Sequence, residues 1–484
     1  MRGVGTALSG RSLSEVGPAR GETGGPALDP SLRWLAAGGG PTPEQNQVSI
    51  EQDLGLAAEV FGPGGVLLFA GGPGSSGVQV EAGARAEDPL LAELADLFAP
   101  RGGRGARYRR TTLDAAGPAG ASEVRAGLAG AIAGEGAPLL VYLAGHGDLG
   151  GRARDNGIAL WGGEALRVHE VAEALAGARR PVRLVVTSCF SGGFGELAFA
   201  GADPAAGAAP GDVCGLFAAT WDLEASGCDP NPDRAAQEGY GIHFLHALRG
   251  EGRGGERLAP ALVDFDGDGA VSLLEAHTRA RVASQGIDVP TTTSERWLRE
   301  VAPTSGPSRA VALPEEAAVI AHFRSTLGEV DAAAELERME AAIDAARGRL
   351  QAAQADEDAA FRRLQAGLLA RWPVLDDPWH PDFWVMFEGQ REAIAGHLAG
   401  EPARAEYAAA RARAAAEEAA IGEVRQRAAA FERLWRAEEN VALAGRLAAR
   451  GGPAWERYGR FLECERGRPP AAEGSALPGS RVRP

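Results

Sequence analysis

Two short apolar runs end in residues able to do covalent chemistry. Leu139–Ala144 (LLVYLA) runs into Gly145, His146, Gly147 and Asp148. Val182–Thr187 (VRLVVT) runs into Ser188, Cys189, Phe190, Ser191, Gly192 and Gly193. Each run reads as a strand, and each presents one reactive side chain just past its end, flanked by small residues. Thiol-based hydrolysis needs such a pair: a thiolate attacks a carbonyl, and an imidazole handles the proton of the leaving amine. Glycines beside both groups let a substrate backbone come close and leave backbone N–H groups facing an oxyanion. Taken singly, His146 fits a turn residue and Cys189 a buried thiol. At two strand ends together they favour catalysis.

The elements around them alternate. Gln47–Gly62 carries Ile50, Leu54, Ala57 and Val60 at helical spacing, with Ser49 as N-cap. Val66–Ala70 is a strand stopped by Gly71, Gly72, Pro73 and Gly74. Asp88–Phe98 is a helix capped by Asp88 with Pro89 in its first turn. Ser122–Ile132, Val168–Leu175, Tyr240–Leu248 and Ser272–Val282 read as helices, and Cys214–Thr220 as a further strand. Continuous apolar strands separated by helices predict an α/β fold, a mostly parallel sheet covered on both faces. Sites in such sheets lie at the carboxyl ends of the strands, where His146 and Cys189 fall.

The strand-plus-His146-Gly147 motif followed by VVTSCFSGG resembles the caspase/legumain clan of cysteine peptidases, over roughly residues 46–300. SCFSGG is closer to bacterial and legumain-like members than to animal caspases. The resemblance implies a caspase-like sheet flanked by helices, a polypeptide substrate and no cofactor for the chemistry. It implies Cys189 as nucleophile, His146 as general acid/base, and the N–H groups of Gly147 and Cys189 as the oxyanion hole. In the clan an Asp two residues before the nucleophile can help bind a basic substrate side chain. Here that residue is the neutral Thr187, so strict Arg/Lys selection through it is not expected. Further pocket candidates are Gln79 and Glu81, and Trp221, Asp222 and Glu224 after the Cys214–Thr220 strand. Trp221 would supply a wall and Asp222 a floor, against the alternative that both are ordinary loop residues. The runner-up functions are a catalytically inactive caspase-like scaffold and a serine-type hydrolase using GGPGSSG (71–77), although no G-x-S-x-G elbow follows a strand.

A second motif stands apart. Asp264, Asp266, Asp268, Gly269, Ala270, Ser272 and Glu275 match a calcium-binding loop, with acids at positions 1, 3 and 5 and Glu at 12. The carbonyl of Ala270 would complete the ligand ring around a structural Ca2+. The alternative is a solvated Asp/Gly turn. His243 and His246 lie three apart on one helix with no third metal ligand in view, which favours packing. Cys189, Cys214, Cys228 and Cys464 are the four cysteines; Cys214 and Cys228 are a disulfide candidate in an exported protein.

Composition sets the limits. The chain has 484 residues, with 65 Asp+Glu against 49 Lys+Arg and a net charge of −16. Every basic residue is Arg. Such a chain is poorly suited to nucleic acid. No apolar stretch reaches the ~18 residues of a membrane span, and the N-terminus lacks a signal-peptide core. As written it reads as cytoplasmic; with a true start further upstream it would be exported. The expected organisation is a tail (1–45), a peptidase domain (46–305), a linker (306–316), a helical domain (317–465) and a second tail (466–484). The helical domain is Ala-, Glu- and Arg-rich, and WPVLDDPWHPDFW (372–384) interrupts it with three prolines. It predicts an antiparallel hairpin or thin coiled coil that meets a protein partner or a second copy.

Overall fold

The computed structural model of the chain describes residues 32–81, 88–98 and 106–472. The two expected tails lie outside the described residues over 1–31 and 473–484. The strands are β1 (Trp34–Gly39), β2 (Gly65–Phe69), β3 (Val78–Glu81), β4 (Ala106–Arg109), β5 (Leu139–Asp148), β6 (Gly157–Ala159), β7 (Ala165–Arg167), β8 (Val182–Val186), β9 (Val213–Phe217) and β10 (Thr291–Thr292). The helices are α1 (Val48–Phe61), α2 (Pro89–Phe98), α3 (Ala121–Ile132), α4 (Val168–Leu175), α5 (Tyr240–Leu248), α6 (Leu273–Ala283), α7 (Thr293–Val301), α8 (Pro314–Leu327), α9 (Ala332–Arg371), α10 (Phe383–Gly389), α11 (Arg391–Gly400), α12 (Pro402–Arg450) and α13 (Pro453–Glu465). The protein is α/β, a mostly parallel sheet flanked by helices, with a long helical C-terminal region.

The main sheet runs β10-β9-β8-β5-β1-β2, parallel except for the β10 edge. Alternation along the strands feeds two cores. Ala36, Phe69, Leu140, Tyr142, Val185 and Leu216 face α1, α5 and α6. Leu35, Leu68, Val141, Leu143, Leu184 and Val186 face α3 and α4. No helix among the described residues is long and apolar enough to cross a membrane.

Four expectations are corrected. The tail to residue 45 ends early, because Trp34–Gly39 is a central strand between β2 and β5. Its Ala and Gly residues suit tight packing rather than a linker: a Cβ on Gly38 would stand 2.0 Å from the Ala144 carbonyl oxygen. The boundary at 305–317 is not a boundary in packing. Trp297 and Leu298 of α7, Leu313, Leu443 and Leu447 of α12 and Phe461 of α13 form one core with Cys214 of β9. The second tail is likewise held over 466–468, where Arg466 pairs with Glu315 and the Gly467 carbonyl accepts from Leu273 N. Fourth, Cys214 is bonded to Cys464 of α13 rather than to Cys228, which is free.

Helices α9 and α12 form the expected antiparallel hairpin, packed through Ala346, Ala360, Ala410 and Ala414. Alanines bury little apolar area, so the hairpin gains support at its far end. There Leu94 and Leu97 of α2 join Trp372, Phe383 and Phe387, and Asp88 receives both Nη groups of Arg391 at 2.6 Å. The base is fastened by the disulfide, which spans 250 residues of chain. Replacing Cys464 with Ser is expected to lower stability by about 2–5 kcal/mol in urea denaturation, with reductant bringing the wild type to the same level. An unchanged midpoint would show that the bridge adds nothing to the native state.

Candidate active site

Strands β5 and β8 are adjacent and parallel, with Leu143 opposite Val186. His146 and Cys189 lie the same distance beyond that pair, so register alone brings their loops together. The approach is close: a Cβ on Gly147 would stand 1.9 Å from the Cys189 carbonyl oxygen and 3.0 Å from Cys189 Cβ. Only glycine fits there. The residue after Cys189, Phe190, has φ 59°, a left-handed conformation costly for a non-glycine residue and typical of nucleophile turns and other strained sites.

His146 is half-buried, and its Nε2 lies 3.0 Å from the Gln45 carbonyl oxygen and 2.9 Å from Gln47 Oε1. Both partners accept only, so Nε2 carries the proton and Nδ1 is left as the base. Burial holds the imidazole below its usual value, with the Gln45 bond working upward. Sequence reasoning missed both glutamines. Gln45 ends the turn after β1, inside the presumed tail, and Gln47 precedes α1.

The Cys189 thiol turns to a strap, residues 221–239, between β9 and α5. Ala225 N donates to Sγ at 3.3 Å, and Sγ donates to the Ala225 carbonyl at 3.5 Å. Burial pushes the thiol up; the Ala225 N–H opposes this, and Glu224 and Asp288 add to it. Both shifts favour the neutral thiol and imidazole, and no hydrogen bond joins the two groups among the described residues. The strap is firmly seated. Leu223 O accepts from Phe190 N at 2.8 Å, and Asp288 accepts from Ser226 N at 2.6 Å. Ser49, expected as an N-cap, sits one residue inside α1; its hydroxyl donates to Gly227 O and accepts from Asp229 N.

Asn156, fully buried and also missed, joins the loops: its Nδ2 donates to the Phe190 and Trp221 carbonyls, and its Oδ1 accepts from Gly150 N. No local motif marked it. Thr187 is half-buried just before the Cys189 turn. Trp221 and Asp222 are exposed at the start of the strap, and Asp222 accepts from the Thr220 hydroxyl rather than flooring a pocket. Glu81 N meets the strap at Pro230 O, while Gln79 lies beside Asn46.

In the acidic loop, carboxylate oxygens of Asp264, Asp266 and Asp268 lie within 4.8 Å of one another. Asp264 accepts from Gly267 N and Gly269 N, and Asp268 from Ala270 N, so backbone amides close the loop. Glu275 caps α6 instead, accepting from Ser272 N and Phe265 N. Ser272 accepts from Glu275 N in return, and Arg468 pairs with Asp268. His243 and His246 turn to different carboxylates, Glu238 and Glu251. Gly71 and Gly77 of the GGPGSSG loop lie against the Trp161 indole.

The chain matches no model of a known protein family, and a comparison with curated proteins finds no match.

The strap generates a direct expectation. Ser49→Ala removes two of its bonds, worth about 1–3 kcal/mol together, and should raise the rate of Cys189 alkylation by iodoacetamide roughly 5–150-fold. An unchanged rate, followed by mass spectrometry, would mean that the strap is not held there.

Proposed function

We propose that the chain is a caspase-like cysteine endopeptidase. The observation that carries the reading is the contact of Gly147 with Cys189, which sets an imidazole with a defined tautomer and a thiol on neighbouring loops at strand ends. With the strap displaced, His146 Nδ1 takes the Cys189 proton and the sulfur attacks the scissile carbonyl. The N–H groups of Gly147 and Cys189 face the oxyanion. The resulting imidazolium, steadied through Nε2 by Gln45 O, gives its proton to the leaving amine. Water, deprotonated by His146, then cleaves the thioester and restores the thiol.

The competing reading is an inactive scaffold, and it draws on the thiol's bonding to Ala225 instead of His146. The Cys214–Cys464 bridge supports an oxidising compartment. The arm is read as a partner-binding element, since its end exposes Trp379, Trp384 and Val385. Against a peptide library, Cys189→Ala and His146→Ala should each lose at least about a thousandfold in kcat/KM with unchanged melting curves. Wild-type rates in Cys189→Ala would end the peptidase reading.

Calcium at Asp264, Asp266 and Asp268 with the Ala270 carbonyl is proposed as a structural ligand only, with Glu275 swinging from its cap to join. Millimolar calcium should then raise the melting temperature over chelator, by an increment lost in Asp264→Ala. Superimposable melting curves would leave the loop a turn closed by its own amides.

A further inference from the structure

Beneath Cys189, on the α1 side of the sheet, lies a buried polar cluster that neither the dyad nor the core requires. Tyr142 of β5 is fully buried, and its hydroxyl, beside the Thr187 side chain, makes no hydrogen bond of ordinary geometry among the described residues. A Cβ on Gly241, at the start of α5, would stand 3.1 Å from that hydroxyl and 2.5 Å from Asp53 Oδ2, so both polar groups surround one glycine. Val185 is paired with Tyr142 and shares its core. Alternation therefore puts Thr187, two residues on and two before Cys189, on the same side. The cluster combines a carboxylate, an orphaned phenol and the residue beside the nucleophile turn.

Asp53 is 9% exposed, and burial pushes its carboxyl up, offset in part by Arg234. Arg234 belongs to the strap. Its Nη2 donates to Asp53 Oδ1 at 2.7 Å and its Nη1 to Gln237 Oε1 at 2.7 Å. Ser49, which pins the strap at Gly227, lies one helical turn before Asp53 on α1. The strap thus runs from the thiol, at Ala225, along α1 to the carboxylate, at Arg234. A single segment of the chain thus contacts both the thiol and the carboxylate, and its displacement would free both.

We infer that Asp53, with Tyr142 and Thr187, is the specificity-determining group of this site and selects a polypeptide carrying a basic side chain, arginine above all, whose place Arg234 holds in the closed strap. A guanidinium has five donors in a planar fork; the carboxylate takes two, and the Tyr142 hydroxyl gains the partner it lacks. A neutral isostere would leave a buried carboxylate unpaired, which is what makes such sites selective. Basic selection, unexpected through Thr187 alone, then comes from α1. The inference rests on the peptidase reading only for the fate of the bound peptide.

The test reads binding without turnover. Full-length Cys189→Ala carrying Arg234→Ala is titrated, by fluorescence polarisation, with two labelled peptides that differ only in arginine against citrulline. The arginine peptide should bind about a hundredfold tighter. Adding Asp53→Asn should bring the two peptides to parity and leave citrulline binding unchanged. If Arg234→Ala does not fold, Cys189→Ala with its strap intact must show the same preference at lower affinity. Equal binding of the two peptides to folded protein, or a preference that survives Asp53→Asn, overturns the inference and leaves Asp53–Arg234 a structural clasp. The two readings fail separately. Arginine-selective binding without cleavage by the wild type would sink the dyad alone, whereas cleavage without arginine preference would sink this inference alone.

Discussion

The close approach of Gly147 to Cys189 is the constraint on which the rest depends. It exists because β5 and β8 are neighbours in a parallel sheet, so their carboxyl ends open on the same edge. Parallel neighbours need long connections, and here the connection carries β6, β7 and α4, which cover one face. Once the two strand ends meet, one position must lack a side chain, and glycine occupies it. The Gln45 carbonyl then fixes the imidazole, because β1 sits on the far side of β5 and delivers the following turn to His146.

The helical arm is coupled to this edge by buried charge. Arg433 of α12 is 3% exposed and donates to the carbonyls of Arg281, Ser284, Gly286 and Asp288. Burial, partly offset by Asp288 and Glu238, brings it down to about 10. The loop it clasps presents Asp288 to Ser226 of the strap. Nearby, burial works to raise the Glu295 carboxyl, yet Arg436, Arg299 and Arg281 hold it down to about 2. Removing one member of such a network leaves an uncompensated buried charge. The arm and the sheet are therefore one folded body at their junction. The strap lies between them, with Arg425 of α12 paired to its Glu224.

Apolar strands and amphipathic helices were legible in the sequence because their periodicities are local. So were the strand ends bearing His146 and Cys189, and the start of α6 at Ser272. Long-range packing was not. Trp34–Gly39 has the composition of a linker, since a central strand in a crowded sheet needs small residues. Gln45, Asn156 and Arg433 act through partners far off in sequence, and nothing beside them in the chain marks those partners. Asp53 has no local motif beside it on α1. Its meaning depends on Tyr142, Gly241 and Arg234, which come from three other segments.

The central claim is that Cys189 is a nucleophile served by His146 within a peptide-binding cleft. Intact-mass analysis after treatment with a peptidyl acyloxymethyl ketone addresses it most directly, because this electrophile reacts with a thiol that is both activated and peptide-directed. The account expects one thioether, on Cys189, lost in His146→Ala while iodoacetamide still labels that thiol. Equal modification of Cys189 with and without His146, or modification of Cys228 instead, would contradict it.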